Sequence, residues 1–339
     1  MIKALLTVKE VIRSFYGRYD RYVNGLIRFV FSLAVYLTIL YNAGYNASLS
    51  SPFIPVGMAL ISAFLPLYMT TVLGALYLSV QFLSVSIEVA VIALVFFLVM
   101  LLLYFVFRAN DSWILMLTMT LCLWNFPAVL LPAALIADPV ETIVVAFGIL
   151  IYGLVIVVRK DVSVFVSEGA TRLTLGARIN RLLSDLISDE YFLLLVISLA
   201  AAFLLISIIK RSRINHAPLV AVVAGDLLFL ISFLLGSYFL DLSINFWQVA
   251  VGFLLNALIS FVMVSLVLSY DYKRTEEVRF EDDDYYYFVK AIPKTAISLK
   301  ERRVESITKR GKPSDDTGDI DVKQVFVRRD EMRRNDRAE

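Results

Sequence analysis

Asp226, Asn256 and Ser260 are the side chains in this sequence best placed to do chemistry. Each lies inside a long apolar run, where a carboxylate costs about 2.5–3.5 kcal/mol to insert and has to face protein or water. Asp226 falls roughly ten residues, about 15 Å along a helix, from the start of its run. In an antiparallel next helix, Ser260 reaches a similar depth and Asn256 lies one turn further out. A carboxylate, an amide and a hydroxyl so arranged can relay a proton, hold a cation or contact a solute. The plainer reading is a neutral Asp226 hydrogen-bonded to its neighbouring helix. Gly252, Asn256 and Ser260 repeat every four residues, as Ala221 and Gly225 do, which predicts that the two helices pack on each other through small residues.

Other polar residues are weaker candidates. Glu88 falls between two apolar runs and reads as a solvated interfacial carboxylate. Asp138 and Glu141 read as turn and helix-start residues. Trp124, Asn125 and Pro127 either line a cavity or mark a kinked packing contact. Cys122 and His216 are the sole residues of their types, so an intramolecular disulfide and a thiolate cluster are excluded. No glycine-rich phosphate loop, GxSxG or HExxH occurs. The sequence thus predicts no enzyme, no metal and no cofactor. A net charge of +2 gives no reason to expect nucleic acid as a partner.

The elements that must position these residues are transmembrane helices. Hydrophobic residues make up 59% of the chain and charged ones 18%, against about 45–50% and about 25% in globular domains. That excess suits helices whose outer face meets lipid. The runs predict an all-α integral membrane domain over 26–270 with eight spans, at 26–41, 53–80, 85–107, 114–136, 141–158, 191–209, 217–240 and 245–270. A six-span rival has 53–80 folding back and one other run not crossing. Residues 1–25, basic with apolar positions at helical spacing, predict a cytosolic amphipathic helix. Residues 159–190 predict an extracytoplasmic amphipathic loop. The cluster Lys210-Arg211-Ser212-Arg213 marks the cytosolic side, with both termini.

After the last span, 271–293 changes character. Val278 and Phe280 alternate with charged residues, Asp282–Asp284 offers a turn, and Tyr285, Tyr287 and Val289 alternate beyond it. This pattern predicts a short β-hairpin that needs a protein partner or the membrane face, since a lone hairpin is marginal in water. A solvated acidic-aromatic linker is the competing reading. The tail 294–339 is charged and predicted to be disordered.

The run FEDDDYYYFVKAIPK resembles the equivalent segment in a group of polytopic membrane proteins of clostridial-type Gram-positive bacteria. The resemblance implies a bacterial plasma membrane and carries no activity with it. The expected role is a non-enzymatic membrane scaffold of an envelope or secretion assembly, docking a cytosolic protein through Val278, Phe280, Tyr285, Tyr287 and Val289. The alternative is a transporter or permease built on Asp226, with a small-molecule substrate.

Overall fold

A computed structural model describes residues 2–107, 113–160, 162, 175–212, 214, 216–267, 276–281 and 286–291. These belong to one unit, 1–297; the second, 298–339, lies outside them. The described chain is predominantly helical. Five helices are long and apolar enough to cross a membrane: Phe15–Ala43, Glu141–Lys160, Glu190–Ile209, Ala217–Phe239 and Phe246–Ser265.

Helix α1 (Ile2–Ala43) does not stop at residue 25, where a separate surface helix was expected. It kinks at Tyr19 (φ −120°, ψ 24°) and continues. Hydrogen bonds from Tyr16 to Asn24 (2.7 Å) and from Asn24 to Asp20 (2.6 Å) bridge the kink and hold the two halves in register.

The run 53–80 is not one span. It divides into α2 (Phe53–Phe64) and α3 (Leu67–Leu83) at Leu65 and Pro66, both extended, with ψ 160° and 150°. Proline supplies no N–H and disfavours helix at the residue before it, so the ladder ends there. The contacts with α1 show that the chain then doubles back. Tyr36 shares a hydrogen bond with Ser62 (2.8 Å), and Arg28 Nη1 donates to the Leu65 carbonyl (3.0 Å). Beyond the break, Thr70 meets Ser32 (2.9 Å) and Gln81 accepts from the Asn46 N–H (2.8 Å). The partners descend along α1 from 36 to 28, then climb again from 32 to residue 46, just past the end of α1. The pair is a helical hairpin that returns to the end it entered from.

The run 114–136 is interrupted as well. After α4 (Ile87–Phe107), α5 (Trp113–Leu123) rises beside α1. Trp113 sits edge-on to Phe31 at 6.2 Å, and Trp124 Nε1 donates to Thr38 Oγ1 at 2.9 Å. Asn125 then adopts a left-handed conformation (φ 61°). The chain turns into a 3-10 helix, Pro127–Leu135, with a second proline at 132. Pro132 lacks an N–H in the body of the segment and breaks an α-helical ladder there, while Pro127 at its first position costs no ladder bond. The segment runs back to Ala137, whose carbonyl accepts from Lys210, and to Asp138, which pairs with Arg211. Glu141 caps that turn by accepting the Asp138 N–H at 3.0 Å.

The remaining helices are α6 (Glu141–Lys160), α7 (Leu175–Ile187), α8 (Glu190–Ile209), α9 (Ala217–Phe239) and α10 (Phe246–Val262), the last continuing into a π turn over Met263–Val267. Lys160 pairs with Asp189 at 2.7 Å, and Asp189 caps α8 by accepting the Phe192 N–H. The molecule therefore has one end carrying Asn46, Gln81, Asn125, Arg159 and Asp189, and an opposite end carrying Arg28, Leu65, Ala137 and Lys210. Helix α7, expected as a surface element, buries Leu182 and Leu186 in the bundle. Gly153 of α6 makes room for it, since a Cβ there would lie 2.5 Å from Leu186 Cδ1.

Past the π turn, strands β1 (Glu276–Glu281) and β2 (Tyr286–Ala291) pair antiparallel, with Val278 opposite Val289 and Phe280 opposite Tyr287. Tyr285 and the expected turn at Asp282–Asp284 lie outside the described residues, as does the tail from 292 onward.

Candidate functional site

The 3-10 helix Pro127–Leu135 packs against α5, α8, α9 and α10, and the candidate site forms around it. On α10 the buried residues are Gly252, Asn256 and Ser260, a single stripe at four-residue spacing. Ser260 Oγ donates to Asn256 Oδ1 at 3.4 Å. That bond fixes the amide so that its Nδ2 is the free donor. Facing it from α9 is the carboxyl of Asp226. Asp226 Oδ1 and Asn256 Nδ2 are nonetheless both buried without a closed hydrogen bond. An acceptor and a donor thus confront each other, within reach of a small rotation or of a guest between them. Asp226, Asn256 and Ser260, named from sequence, are brought together.

The packing that brings them together is not the expected one. Gly225 faces α8, where a Cβ would lie 2.2 Å from Ile206 Cγ1 and 3.3 Å from the Ala202 carbonyl, and Gly252 faces Phe126, 3.5 Å away. The small residues of α9 and α10 therefore serve other neighbours. The physical reason is the 3-10 helix, which packs against both helices, while they meet each other through larger side chains. Phe229 and Phe253 approach at 5.9 Å between ring centroids.

Above the polar trio lies a cavity of about 170 Å³. Asn125, Ser243, Asn245 and Gln248 line its exposed rim at the Arg159 end, and Tyr191, Phe229, Phe233 and Phe253 its inner wall. Phe229 and Phe233 stack at 5.3 Å, and Tyr191 meets Phe233 edge-on at 6.1 Å. Asp226 precedes Phe229 by three residues and Phe233 by seven, so the three share one helix face. Asn256 follows Phe253 by three on the antiparallel helix. The carboxyl and the amide consequently sit about one turn, ~5 Å, beneath the rings. Asn125 and Pro127 do line this cavity, whereas Trp124 is engaged with Thr38. The aromatic wall was not anticipated from sequence. Its signal was the four-residue spacing of Phe229 and Phe233 on the Asp226 face, which looks the same as ordinary apolar packing.

Glu88 does not belong to this site. It is buried rather than solvated, at the first turn of α4, where it accepts from the Ser86 hydroxyl while the Ser86 Oγ accepts the Glu88 N–H. It forms a local cap because α3 returns the chain to the Arg159 end and folds the 84–86 turn against the bundle. Among the described residues no group of three or more potential metal ligands occurs. No family model matches the chain, and no curated protein and no solved structure is significantly similar to it.

Proposed function

We propose that this chain is a permease-type integral membrane protein that passes a small solute or ion along the cleft between α9, α10 and the 3-10 helix. The observation that carries the reading is the convergence of Asp226, Asn256 and Ser260 beneath an open cavity lined in part by an interrupted helix. Irregular backbone at membrane depth is tolerated where protein covers it or where it lines a cavity, and broken helices are the usual builders of midplane sites. The positive-inside rule assigns the Lys210 end to the cytosol of a bacterial plasma membrane, with both termini there and the cavity opening outward. Six helices, α1, α4, α6, α8, α9 and α10, then cross, with two hairpins inserted from opposite faces. The test is flux in reconstituted vesicles: Asp226→Asn abolishes it at unchanged protein level. Unaltered flux in that variant removes Asp226 from the path and ends the proposal.

A second reading, a non-enzymatic scaffold of an envelope or secretion assembly, is favoured by one observation. Among the described residues the sheet has two strands, so β1 and β2 each have an outer edge with no described strand beside it. A cytosolic protein adding a strand there would complete it. Loss of a co-purifying partner on deletion of 275–339 supports this reading, and retention of every partner removes it.

A further inference from the structure

We propose that a second cavity, at the Arg159 end between α6, α7 and α8, binds a free α-amino acid with an apolar side chain. The inference stands apart from the permease reading, and neither falls with the other.

The cavity measures about 240 Å³, which admits a guest of several heavy atoms. Tyr152, Ile156 and Lys160 line it from one face of α6, at four-residue spacing. Leu186 of α7 and Phe192 of α8 close its apolar side. Its polar side holds the Lys160 ammonium and the Asp189 carboxylate, 2.7 Å apart, with the phenols of Tyr152 and Tyr191. Tyr152 is only 6% exposed, yet among the described residues its hydroxyl has no hydrogen bond and is not sealed into the core. It therefore opens into the cavity that its ring lines. The Tyr191 hydroxyl has no hydrogen-bond partner among the described residues either. Both phenols lie within electrostatic range of each other and of Asp189. Polar groups at such depth are normally paired, so two unmet hydroxyls point to a guest.

The ion pair has capacity to spare as well. An ammonium donates up to about three hydrogen bonds and a carboxylate accepts about four. Lys160 gives one to Asp189, and Asp189 accepts it together with the Phe192 N–H. A cation bound here would compete with Lys160 for Asp189, and an anion would compete with Asp189 for Lys160. A hydrocarbon guest would leave the phenols unmet. A zwitterion answers every group. Because the two protein charges are in contact, the guest's charges have to be adjacent too, as an ammonium and a carboxylate on one carbon are. The side chain of such a guest then packs on Ile156, Leu186 and Phe192.

The experiment measures binding calorimetrically on the full chain in phosphatidylcholine nanodiscs. The probes are L-leucine, its isomer 6-aminohexanoate with the charges at opposite ends, and the single-charge analogues 4-methylpentanoate and isoamylamine. Leucine is expected to bind at least tenfold more tightly than each of the others. Tyr152→Phe, which removes only the hydroxyl, is expected to weaken leucine at least threefold, and Lys160→Gln at least tenfold. If Tyr152→Phe does not yield monodisperse protein, Tyr191→Phe is read in its place. No binding of leucine, equal binding of any analogue, or a phenylalanine variant with unchanged affinity overturns the inference. A second set of discs contains phosphatidylethanolamine, whose headgroup also carries an ammonium near an anion, and leucine is expected to bind there equally. Binding lost in that set assigns the cavity to the lipid headgroup and overturns the free amino acid as its occupant. Flux is followed separately in vesicles. Asp226-dependent flux without leucine binding sinks this inference and spares the permease. Leucine binding without any flux does the reverse.

Discussion

Arg159 donates a hydrogen bond from Nη1 to Oδ1 of Asn42, 3.0 Å away, and so ties the last turn of α6 to the last turn of α1 across 117 positions of sequence. The Asn42 amide in turn donates to the Thr38 carbonyl at 2.9 Å. A hydrogen bond to a charged group contributes about 1.5–3 kcal/mol when sheltered, and less where the guanidinium is exposed, as here. Asn42→Ala is therefore expected to destabilise the detergent-solubilised protein by about 1 kcal/mol. A double-mutant cycle with Arg159→Ala in thermal unfolding should show positive coupling. Strict additivity would mean that the contact contributes nothing.

The doubling back of α2 and α3 makes a topological prediction. Ser48 and Ser84 are exposed at the same end of the molecule, and Ser212 is exposed at the other. In a Cys122→Ala background, single cysteines at 48 and 84 should react with an impermeant maleimide from the same side of sealed vesicles. A cysteine at 212 should react only after permeabilisation or inversion. Opposite labelling of 48 and 84 would restore a single span at 53–80.

The packing of α9 predicts which helix it touches. Gly225 abuts Ala202 and Ile206 of α8. A cysteine pair at 202 and 225 should cross-link readily, and a pair at 225 and 252 should not. Gly225→Ala would set its Cβ 2.2 Å from Ile206 Cγ1, next to a stiff β-branch, and 3.3 Å from the Ala202 carbonyl, so it should already lower the unfolding temperature. Gly225→Leu has no room and should lower the unfolding temperature markedly, in line with the 1–3 kcal/mol typical of overpacking.

These cases show what the sequence made legible. Long apolar runs are a property of composition, and the helices at 141–160, 190–209, 217–239 and 246–262 sit close to where hydropathy placed them. The breaks were harder to read. Pro55 and Pro66 occur in one run and Pro127 and Pro132 in another, yet Pro55 lies within helix and Pro66 ends one. What differs is first of all position, since Pro55 stands in the first turn of α2, where the helix needs no N–H from it, and Pro66 follows the last. The carbonyl of Leu65, freed by the break, is taken by Arg28, which sits 37 positions earlier and cannot be paired with it by inspection. The polar trio was legible because buried polar residues in apolar runs are rare and antiparallel depth is simple arithmetic. The aromatic wall was not, because a phenylalanine beside a cavity and one in a core have the same neighbours in sequence.

Asp189 gives the molecule an acid-sensitive joint outside the spans. Burial pushes its carboxyl upward, but the Lys160 ammonium and the Phe192 N–H bind the ionised form and hold it below the ordinary carboxylate range. A carboxyl with a folded pKa below its unfolded one stabilises the fold while ionised in both states. That contribution fades as pH falls from about 4 through the lower folded value. Thermal stability should therefore drop in that acid window. Asp189→Asn, less stable at neutral pH, should show a flatter acid limb. Parallel limbs for the two proteins would assign the acid sensitivity to another group.

The pairing of Asp226 with Asn256 separates structure from function. If the amide's main task is to answer the carboxyl, Asn256→Leu leaves Asp226 facing hydrocarbon and should cost about 1 kcal/mol, the upper part of the range for interhelical hydrogen bonds in membranes. Replacing both partners removes the unanswered group along with its partner, because the penalty belongs to the orphaned polar atom and not to the missing bond. Asp226→Leu combined with Asn256→Leu should therefore recover most of the unfolding temperature lost in Asn256→Leu alone. Flux should stay absent in both, since neither retains the complete polar chain from the cavity to Ser260. A double variant that regains stability and also carries solute would show that Asp226 and Asn256 do no more than hold α9 against α10.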